Sequence, residues 1–301
     1  MIKIKSLAFI SNFSSSMIPF ISRLVILATL LSVALVARPG RLAAQTDYYN
    51  TDSGRPVQIE DAYATERYAF EMKLAPVRVE QLKGGVYNWA VEPELAYGIL
   101  PRTHIEVELP LAHTDFGNVS RSGVAGLDLS LFHNLNVETR TLPALALRAD
   151  VLFPVGALGP DRTYASLKGI ASRTYSAARF HVNGQYTFGS RQDEQPTELL
   201  NVSGSAGGVE VSKWLAGIAV DKAYPLRAIL LTADFFARQP IIEEDAVDYN
   251  VGTGIRYQVS PKWAIDGGVG RRLNGPGQGW FATFGTAYVF GLSSLMPRSG
   301  R

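Results

Sequence analysis

Beyond residue 65, hydrophobic and polar residues alternate with a period of two along most of the chain. The clearest stretch is VYNWAVEPELAY, residues 86–97, whose apolar side consists of Tyr87, Trp89, Val91, Pro93, Leu95 and Tyr97. This period is typical of strands whose two faces meet different surroundings. Aromatic residues at both ends of the apolar side fit the two interfaces of a membrane. The pattern therefore predicts strands with one lipid-facing side.

The alternation predicts an all-β fold, a transmembrane antiparallel up-and-down β-barrel of about 12 strands. The range is 10–14 strands, because the segments 165–174 and 202–214 alternate imperfectly. Pro93 lies inside a predicted strand and removes a ladder hydrogen bond, so we expect a bulge there. The predicted strands are 66–79, 86–97, 104–112, 125–137, 143–153, 165–174, 177–188, 202–214, 226–238, 248–259, 263–271 and 280–290.

The connections between these strands alternate in length. Short ones such as GILPR and SPK exchange with longer polar ones such as PVGALGPDRTY and GSRQDEQPTEL. Short turns at one rim and longer loops at the other are the asymmetry of bacterial outer-membrane barrels. Outside the N-terminal segment no stretch has a convincing helical period, which argues against an α/β enzyme.

The N-terminus has the features of a secretory signal peptide. Basic residues precede an apolar run, residues 24–37, that is too short to span a bilayer. Small residues follow it and predict cleavage after Ala44, and the initiator is either Met1 or Met17. The chain therefore divides into a signal peptide (1–44), a periplasmic lead-in or plug segment (45–65), the barrel (66–290) and a C-terminal tail (291–301). We expect the protein in the outer membrane of a Gram-negative-type bacterium.

Removal of the signal peptide changes the charge of the chain. It takes away five of the 29 basic residues and none of the 27 acidic ones, which leaves a net charge of −3. The sequence pI of about 8.7 therefore belongs largely to the signal, and we expect no nucleic-acid partner. The chain has no cysteine, which excludes disulfides, a thiol nucleophile and a cysteine-ligated metal.

The last predicted strand resembles a barrel-assembly signal. That signal reads polar, any, Gly, any, any, apolar or aromatic, any, aromatic, and TFGTAYVF matches it with Thr283, Gly285, Tyr288 and Phe290. We expect the barrel-assembly machinery to recognise this strand and Phe290 to end it. The tail after Phe290 departs from the pattern, whose aromatic is usually the last residue. An ordinary amphipathic strand of a soluble sandwich is the alternative.

Charged residues fall on one face of the predicted strands, which we place toward the lumen. Two neighbouring antiparallel strands together bring four glutamates to this face, the densest acidic patch of the barrel. Such carboxylates repel one another unless cations offset them. They are either paired within a polar lumen or part of a constriction that selects permeants. The constriction candidates are Glu92, Glu94, Glu106, Glu108, Arg148, Asp150 and Arg256.

The sequence contains no convincing catalytic or metal site. His133 with Ser130 and Asn134 is the nearest approach to a hydrolase constellation, but alternation puts His133 on the opposite face from the other two. No two histidines have ligand spacing and no acidic loop has a calcium pattern. We therefore predict neither metal nor cofactor, and a protein that is not an enzyme.

Three stretches resemble a known family. They are PELAYGILPRTHIEVELPL, followed by GLDLSL and PALALRADVLFPVG. These strand-and-turn patterns are similar to those of the MetA-pathway of phenol degradation family, outer-membrane proteins commonly called transporters. The resemblance covers residues 66–290 and implies a barrel with a transport role. The family name implies uptake of aromatic or other small hydrophobic compounds, and the family supplies no catalytic residues.

Two functions therefore stand against each other. The first is an outer-membrane channel or transporter for passive passage of small, hydrophobic or aromatic molecules, with outer-membrane lipid, the assembly machinery and the permeant as partners. The alternative is a structural or adhesive barrel with a filled lumen, whose outer loops bind partners. Eight-stranded barrels are filled by side chains and sixteen-stranded ones leave a channel, so twelve strands allow both. The sequence leaves the oligomeric state open.

Overall fold

The computed structural model of the chain describes residues 50–82, 87–115, 120–189, 211–241, 247–274, 278–292 and 294–295. In these ranges no helix is long and apolar enough to cross a membrane. The strand segments of the described residues are β1 (Ala69–Leu82), β2 (Tyr87–Val91), β3 (Glu94–Leu100), β4 (Thr103–Glu108), β5 (Leu111–Asp115), β6 (Ser120–Val124), β7 (Leu127–Asn136), β8 (Ala144–Phe153), β9 (Tyr164–Thr174), β10 (Arg179–Phe188), β11 (Ser212–Ala223), β12 (Ile229–Pro240), β13 (Asp248–Ser260), β14 (Trp263–Arg272) and β15 (Gly279–Gly291).

Three pairs of these segments are halves of single barrel strands. β2 and β3 both pair with β1, while β5 pairs with β2 and β4 pairs with β3. β6 and β7 pair in turn with β5 and β4. The fifteen segments of the described chain thus form twelve antiparallel strands in sequence order, and β15 pairs with β1 to close the barrel. The predicted twelve-stranded up-and-down barrel is confirmed.

The strand interruptions lie side by side on three neighbouring strands. The break between β2 and β3 falls at Glu92 and Pro93, where proline was expected to disturb the ladder. The Leu109 N–H, in the break between β4 and β5, donates to the Pro93 carbonyl at 3.1 Å. The Ala125 N–H, between β6 and β7, donates to the Pro110 carbonyl at 2.9 Å. One irregular row therefore crosses this side of the sheet.

The apolar face of the strands is the outer surface of the barrel. In β13, Ile255 is 45% exposed while its neighbour Arg256 is fully buried at 0%. In β8, Leu145 and Leu147 are exposed and Arg148 points inward, as the alternation predicted. A soluble protein buries its apolar side chains, whereas a barrel in lipid exposes them. The wall is therefore built for lipid outside and for polar groups inside.

One pair of predicted strands was misplaced. The expected strand at 202–214 lies mostly outside the described residues, and the strand found there is β11, which starts at Ser212 and ends at Ala223. The next strand, β12, starts at Ile229 rather than at 226. The sequence around Pro225 turns the chain, because proline has no N–H to continue a ladder. The predicted strand 226–238 therefore begins inside this turn.

The two ends of the barrel differ. The turn rim consists of the connections 101–102, 137–143, 175–178, 224–228 and 261–262. The loop rim consists of the connections 83–86, 116–119, 154–163, 189–211, 241–247 and 273–278. The first strand starts and the last strand ends at the turn rim, where Ala69 pairs with Gly291. The longest connections belong to the loop rim, in keeping with the predicted asymmetry.

Candidate functional site

Residues 50–66, here the inner segment, lie inside the barrel. Ile59 and Ala62 are fully buried at 0% exposure. Ile59 packs against Leu215, Ala219 and Phe236, whose side chains point inward from β11 and β12. The sequence left a lead-in and a plug open for residues 45–65. Those from 50 onward occupy the lumen, and residues 45–49 lie outside the described ranges.

Side chains of the wall bind the main chain of the inner segment. Each of these bonds satisfies a backbone group that has left contact with water, which explains how an irregular segment is buried. The Gln58 and Ile59 N–H groups donate to Asp234 Oδ2 at 2.7 and 3.3 Å. The Glu60 N–H donates to Asn183 Oδ1 at 3.0 Å, and Asn183 Nδ2 donates to the Glu60 carbonyl at 2.8 Å.

The same arrangement continues toward β1. The Ala62 N–H donates to Ser172 Oγ at 2.9 Å, and Asn134 Nδ2 donates to the Ala62 carbonyl at 2.6 Å. The Thr65 N–H donates to His104 Nδ1 at 2.9 Å. Polar side chains from several strands thus hold one irregular stretch of backbone inside the lumen.

Asp52 is the ionic centre of the inner segment. Its carboxylate lies 3.1 Å from Lys73 Nζ, 3.1 Å from Arg256 Nη1 and 2.9 Å from Arg55 Nη2. Burial alone would raise the pKa of the Asp52 carboxyl, but these three cations outweigh burial and hold that pKa below its ordinary value. Arg55 in turn reaches Asp266 on β14 at 3.2 Å. This part of the segment is therefore bound to one side of the wall, formed by β13, β14 and β1.

Glu60 makes a second ionic contact with the wall. Its carboxylate lies 2.8 Å from Lys168 Nζ on β9 and 3.4 Å from Arg148 Nη1 on β8. All three side chains are almost completely buried. Removing one partner of such a pair leaves an uncompensated charge, so this contact fixes the position of the segment.

The predicted acidic patch forms, but it is partly neutralised. Glu94 pairs in register with Glu108, and Glu106 lies on the same inner face. Lys73 Nζ lies 2.5 Å from Glu94 and 3.4 Å from Glu106. Arg148 Nη1 lies 2.7 Å from Glu106. Two of the four glutamates therefore have cationic partners.

Asp150 and Arg256, two further constriction candidates, lie in different parts of the lumen. Asp150 joins the patch, because Arg148 Nε lies 2.6 Å from its Oδ1. Arg256 is not a partner of the patch, since it binds Asp52 and donates to the Asn50 carbonyl at 2.7 Å. Of the two arginines among the constriction candidates, only Arg148 contacts a glutamate of the patch. The β-alternation showed that Arg256 points inward but not which part of the lumen it reaches.

A polar cavity lies beside the patch, in the half of the lumen nearer the loop rim. Its volume is about 220 Å³, and Ser53, Gly54 and Gln58 of the inner segment contribute to its lining. Among the described residues, no ion pair is found for Glu92, Glu108 or Asp128, which also line the cavity. The inner segment thus closes the middle of the lumen, and carboxylates face the open part above it.

Sequence reasoning found Arg148 and Arg256 but missed three other charged residues that hold the inner segment, Lys168, Asp52 and Glu60. Lys168 lies in a strand with imperfect alternation, so its inward position was hard to see. Asp52 and Glu60 lie in a polar stretch without periodicity, where no pattern assigns partners. The one available signal was the mixture of acidic, basic and apolar residues in DSGRPVQIED, which is unusual for a solvated leader.

A Ser–His–Asp chain lies on the inner wall and was also missed. Ser172 Oγ lies 2.8 Å from His181 Nδ1, and His181 Nε2 lies 2.9 Å from Asp221 Oδ2. The order of residues resembles that of a hydrolase triad. However, Ser172 is 1% exposed and accepts the Ala62 N–H, so no substrate carbonyl has room beside it. This chain orients Ser172 toward the inner segment.

The three residues that come nearest to a hydrolase site in the sequence lie on opposite faces of the wall. His133 is exposed on the outer face, while Ser130 and Asn134 point inward, as alternation predicted. His133 Nδ1 lies 2.8 Å from Thr103 Oγ1, so the three residues do not meet. Within the described ranges, no group of three or more His, Cys, Asp or Glu side chains is arranged to hold a metal ion.

The residues of the predicted assembly signal fall into two groups. Thr283 and Gly285 point inward, and Thr283 Oγ1 donates to the Pro56 carbonyl at 3.1 Å. Tyr288 and Phe290 point outward near the turn rim, and the Phe290 ring stacks on Phe70 at 5.3 Å. β15 continues one residue beyond Phe290, to Gly291. Recognition by the assembly machinery stays a prediction.

The closed sheet, the apolar outer wall and the charged lumen define an outer-membrane β-barrel. A family model described as "Putative MetA-pathway of phenol degradation" matches residues 79–290. This match spans well over half of the chain, so the chain belongs to that family. A search of curated proteins finds no match.

One of three similar solved structures supports the architecture. The COG4313 outer membrane channel from Pseudomonas putida F1 is similar with a TM-score of 0.52 and 14% identity, over 80% of this chain and 100% of that chain. The KdgM porin has a TM-score of 0.44 at 9% identity, over 74% and 99% of the two chains. The outer membrane phospholipase A from Escherichia coli has a TM-score of 0.40 at 10% identity, over 72% and 92%. The first likeness supports the fold alone, and the other two bear on no further point.

Proposed function

We propose that the protein is an outer-membrane channel for passive passage of small molecules, with residues 50–65 acting as a plug. The observation that carries this proposal is the polar cavity above the inner segment, lined by charged groups of the wall. A barrel that served only as a scaffold needs no such space. Membership of the family is consistent with a transport role, and small hydrophobic or aromatic compounds are the permeants that the family name favours.

The proposal includes the route to the membrane. The apolar run of the N-terminal segment directs export, cleavage follows Ala44, and the assembly machinery inserts the barrel with its apolar wall in outer-membrane lipid. The chain acts without catalysis, since the contacts of the Ser–His–Asp chain explain it as a support for the inner segment.

The alternative is a structural or adhesive barrel with a filled lumen. The burial of Ile59 and Ala62 favours it, because these side chains fill the lumen as core residues do. The two functions differ in whether the inner segment leaves. A channel needs a population of molecules with the segment displaced, whereas a scaffold keeps it in place permanently.

Conductance in a planar bilayer tests the proposal. We expect the purified mature chain to show low conductance, and a variant without residues 45–65 to show much larger steps, because the deletion clears the middle of the lumen. A variant without residues 291–301 is the control for loss of a terminal segment, since it keeps residues 50–65. If the variant without 45–65 folds with heat-modifiable gel mobility and still does not conduct, the channel function is wrong.

A further inference from the structure

Six of the wall side chains that hold the inner segment bind its main chain rather than its side chains. This group, the seat, consists of His104, Asn134, Ser172, Asn183, Asp234 and Thr283. Their partners in the inner segment are backbone N–H and C=O groups. Every peptide carries such groups, so these bonds do not depend on which residue supplies them.

Around Glu60 the bonds fall on alternate residues, while the backbone bends at residues 56–58 and at Ala62. Glu60 and Ala62, two residues apart, are each bound at both the N–H and the C=O. In an extended chain the backbone groups of alternate residues point to the same side. Peptides that add to a sheet edge are held in the same way, with side-chain pockets supplying the specificity. Here side chains take the place of the sheet edge.

Three features of the seat select the side chains of its occupant. Ile59 lies in an apolar pocket of β11 and β12, where its Cδ1 is so close to Gly217 that a side chain there would clash. Glu60 lies between Lys168 and Arg148. Ala62 packs in a small apolar cluster that includes Phe132. The seat therefore fits an apolar residue, then an acidic one, with a small residue two positions later.

We propose that the seat is a binding site for acidic peptides, which take the place of residues 55–65 and adopt the same backbone path. The inner segment is the resident occupant, held by non-covalent contacts and attached to β1 at one end. Its attachment is strong, because the Tyr68 N–H donates to the Gly98 carbonyl at 2.7 Å where the segment enters the barrel. A ligand of the same chemistry exchanges with it when the segment swings out. Peptide binding at the seat does not require the channel function. Only the effect of the peptide on conduction rests on the proposed function.

The covalent link between the inner segment and β1 determines how well a free peptide competes for the seat. A segment joined by a short link has an effective concentration on the order of millimolar, so a free peptide competes poorly with the intact inner segment. Weakening the resident segment while leaving the wall unchanged exposes the seat. The double substitution Ile59→Asp and Ala62→Arg does this, because both side chains lie at 0% exposure in apolar surroundings.

The experiment uses a fluorescent peptide with the sequence of residues 55–65, RPVQIEDAYAT. Its anisotropy is measured with the full mature chain carrying the double substitution, after heat-modifiable gel mobility has shown that the barrel is folded. We expect saturable binding at least about tenfold tighter than to the unsubstituted protein, since the resident segment no longer competes. A scrambled peptide of the same composition is the first control, because it keeps the charge and loses the order of side chains.

A substitution in the wall is the second control. Asn183→Leu removes the side chain that binds both backbone groups of Glu60, and we expect it to weaken peptide binding by about tenfold in the same background. Equal binding of the scrambled peptide, or no effect of Asn183→Leu, would overturn the proposal. If the double substitution prevents folding, Glu60→Lys alone replaces it, since it reverses only the contacts with Lys168 and Arg148.

The same sample separates this proposal from the channel function. A folded barrel that binds the peptide without conducting contradicts the channel and supports the site. A barrel that conducts and ignores the peptide contradicts the site and supports the channel. Conductance that falls as the peptide saturates supports both, and it places the seat on the path of the permeant.

Discussion

Single glycines decide where the inner segment runs. A Cβ atom at residue 98 would overlap the Glu66 carbonyl oxygen, where the segment passes over β3 toward β1. A Cβ atom at residue 268 would overlap the Pro56 carbonyl oxygen in the middle of the lumen. At both positions the backbone of the segment approaches the wall more closely than any side chain allows. The path of the segment is therefore built into the wall.

Gly98→Ala tests this at the entrance of the lumen. The added methyl group displaces Glu66, so we expect the free energy of unfolding in urea to fall by about 1–3 kcal/mol. We also expect higher conductance, because the inner segment loses its fixed entry. Gly184→Ala is the matched control, since nothing lies within 4 Å of its added Cβ. Equal losses in the two variants would show that close approach at Gly98 does not position the segment.

At the scale of elements, the last strand combines three tasks. β15 closes the barrel by pairing with β1, its inner face contacts the inner segment through Thr283, and its outer face carries Phe290 near the turn rim. Gly285 also leaves room for the inner segment, because a Cβ there would lie 2.7 Å from Arg55 Nη1. Two of the four residues that match an assembly signal, Thr283 and Gly285, thus also lie against the inner segment.

Truncation separates the end of the strand from the tail. Deleting residues 291–301 removes one register partner of β1, at Ala69, and we expect normal assembly in membranes. Deleting residues 290–301 also removes the stacked Phe290 ring and the terminal aromatic of the signal, so we expect assembly to fail. Heat-modifiable mobility of the membrane fraction measures both. Assembly of the two truncations to the same level would mean that Phe290 is not part of a signal.

The elements were largely predictable because a barrel strand repeats one physical rule. The alternation predicted which side chains of β8 and β13 face outward. Lipid favours apolar residues on the outer face and the polar lumen favours polar residues on the inner face, so successive residues differ. β11 was misplaced because glycines and a proline-containing turn obscured the period around it. The inner segment was not predictable, since its residues lack periodicity and its partners are distant in sequence, as with Glu60 and Lys168.

Over the whole barrel, apolar side chains lie on the outside and charged side chains lie in the interior, the reverse of a soluble protein. The exposed outer residues are apolar over the middle of the strands, while the lumen holds ion pairs such as those of Asp52. Stability then depends on two solvents, because the same substitution has different costs on the two faces. Lipid penalises a charge that the lumen tolerates.

Arginine substitutions on the two faces measure this difference. Val107→Arg places a charge in the outer wall near the middle of its strand, where Val107 is 44% exposed, and we expect a cost of about 2–4 kcal/mol if it meets the bilayer midplane. Gln185→Arg points into the polar cavity, where Lys168 is its register partner, and we still expect a cost below that of Val107→Arg. Unfolding in urea from lipid vesicles gives both values. Similar costs would contradict the assignment of the faces.

The charge of the cavity leads to a prediction about ion selectivity. Six carboxylates and five cationic groups line it, and Glu92, Glu108 and Asp128 are carboxylates without an ion pair among the described residues. Because Glu94, Arg148 and Lys168 already have partners, these three carboxylates, in their ionised form, supply most of the field that a mobile ion meets. An open lumen should therefore favour cations at low salt.

The variant Glu92→Gln, Glu108→Gln and Asp128→Asn removes the three unpaired charges and leaves the contacts of the inner segment intact. The lining then holds three carboxylates and five cationic groups, so the reversal potential across a salt gradient should shift toward anion preference. The shift should be largest near 10 mM salt, where the Debye length is about 30 Å, and should nearly vanish near 1 M, where it is about 3 Å. Asp161→Asn, an exposed loop-rim change outside the cavity lining, is the control and should leave the potential unchanged. If the triple variant is folded and conducts with an unaltered reversal potential at low salt, ions do not pass these carboxylates, and the path of the permeant lies elsewhere.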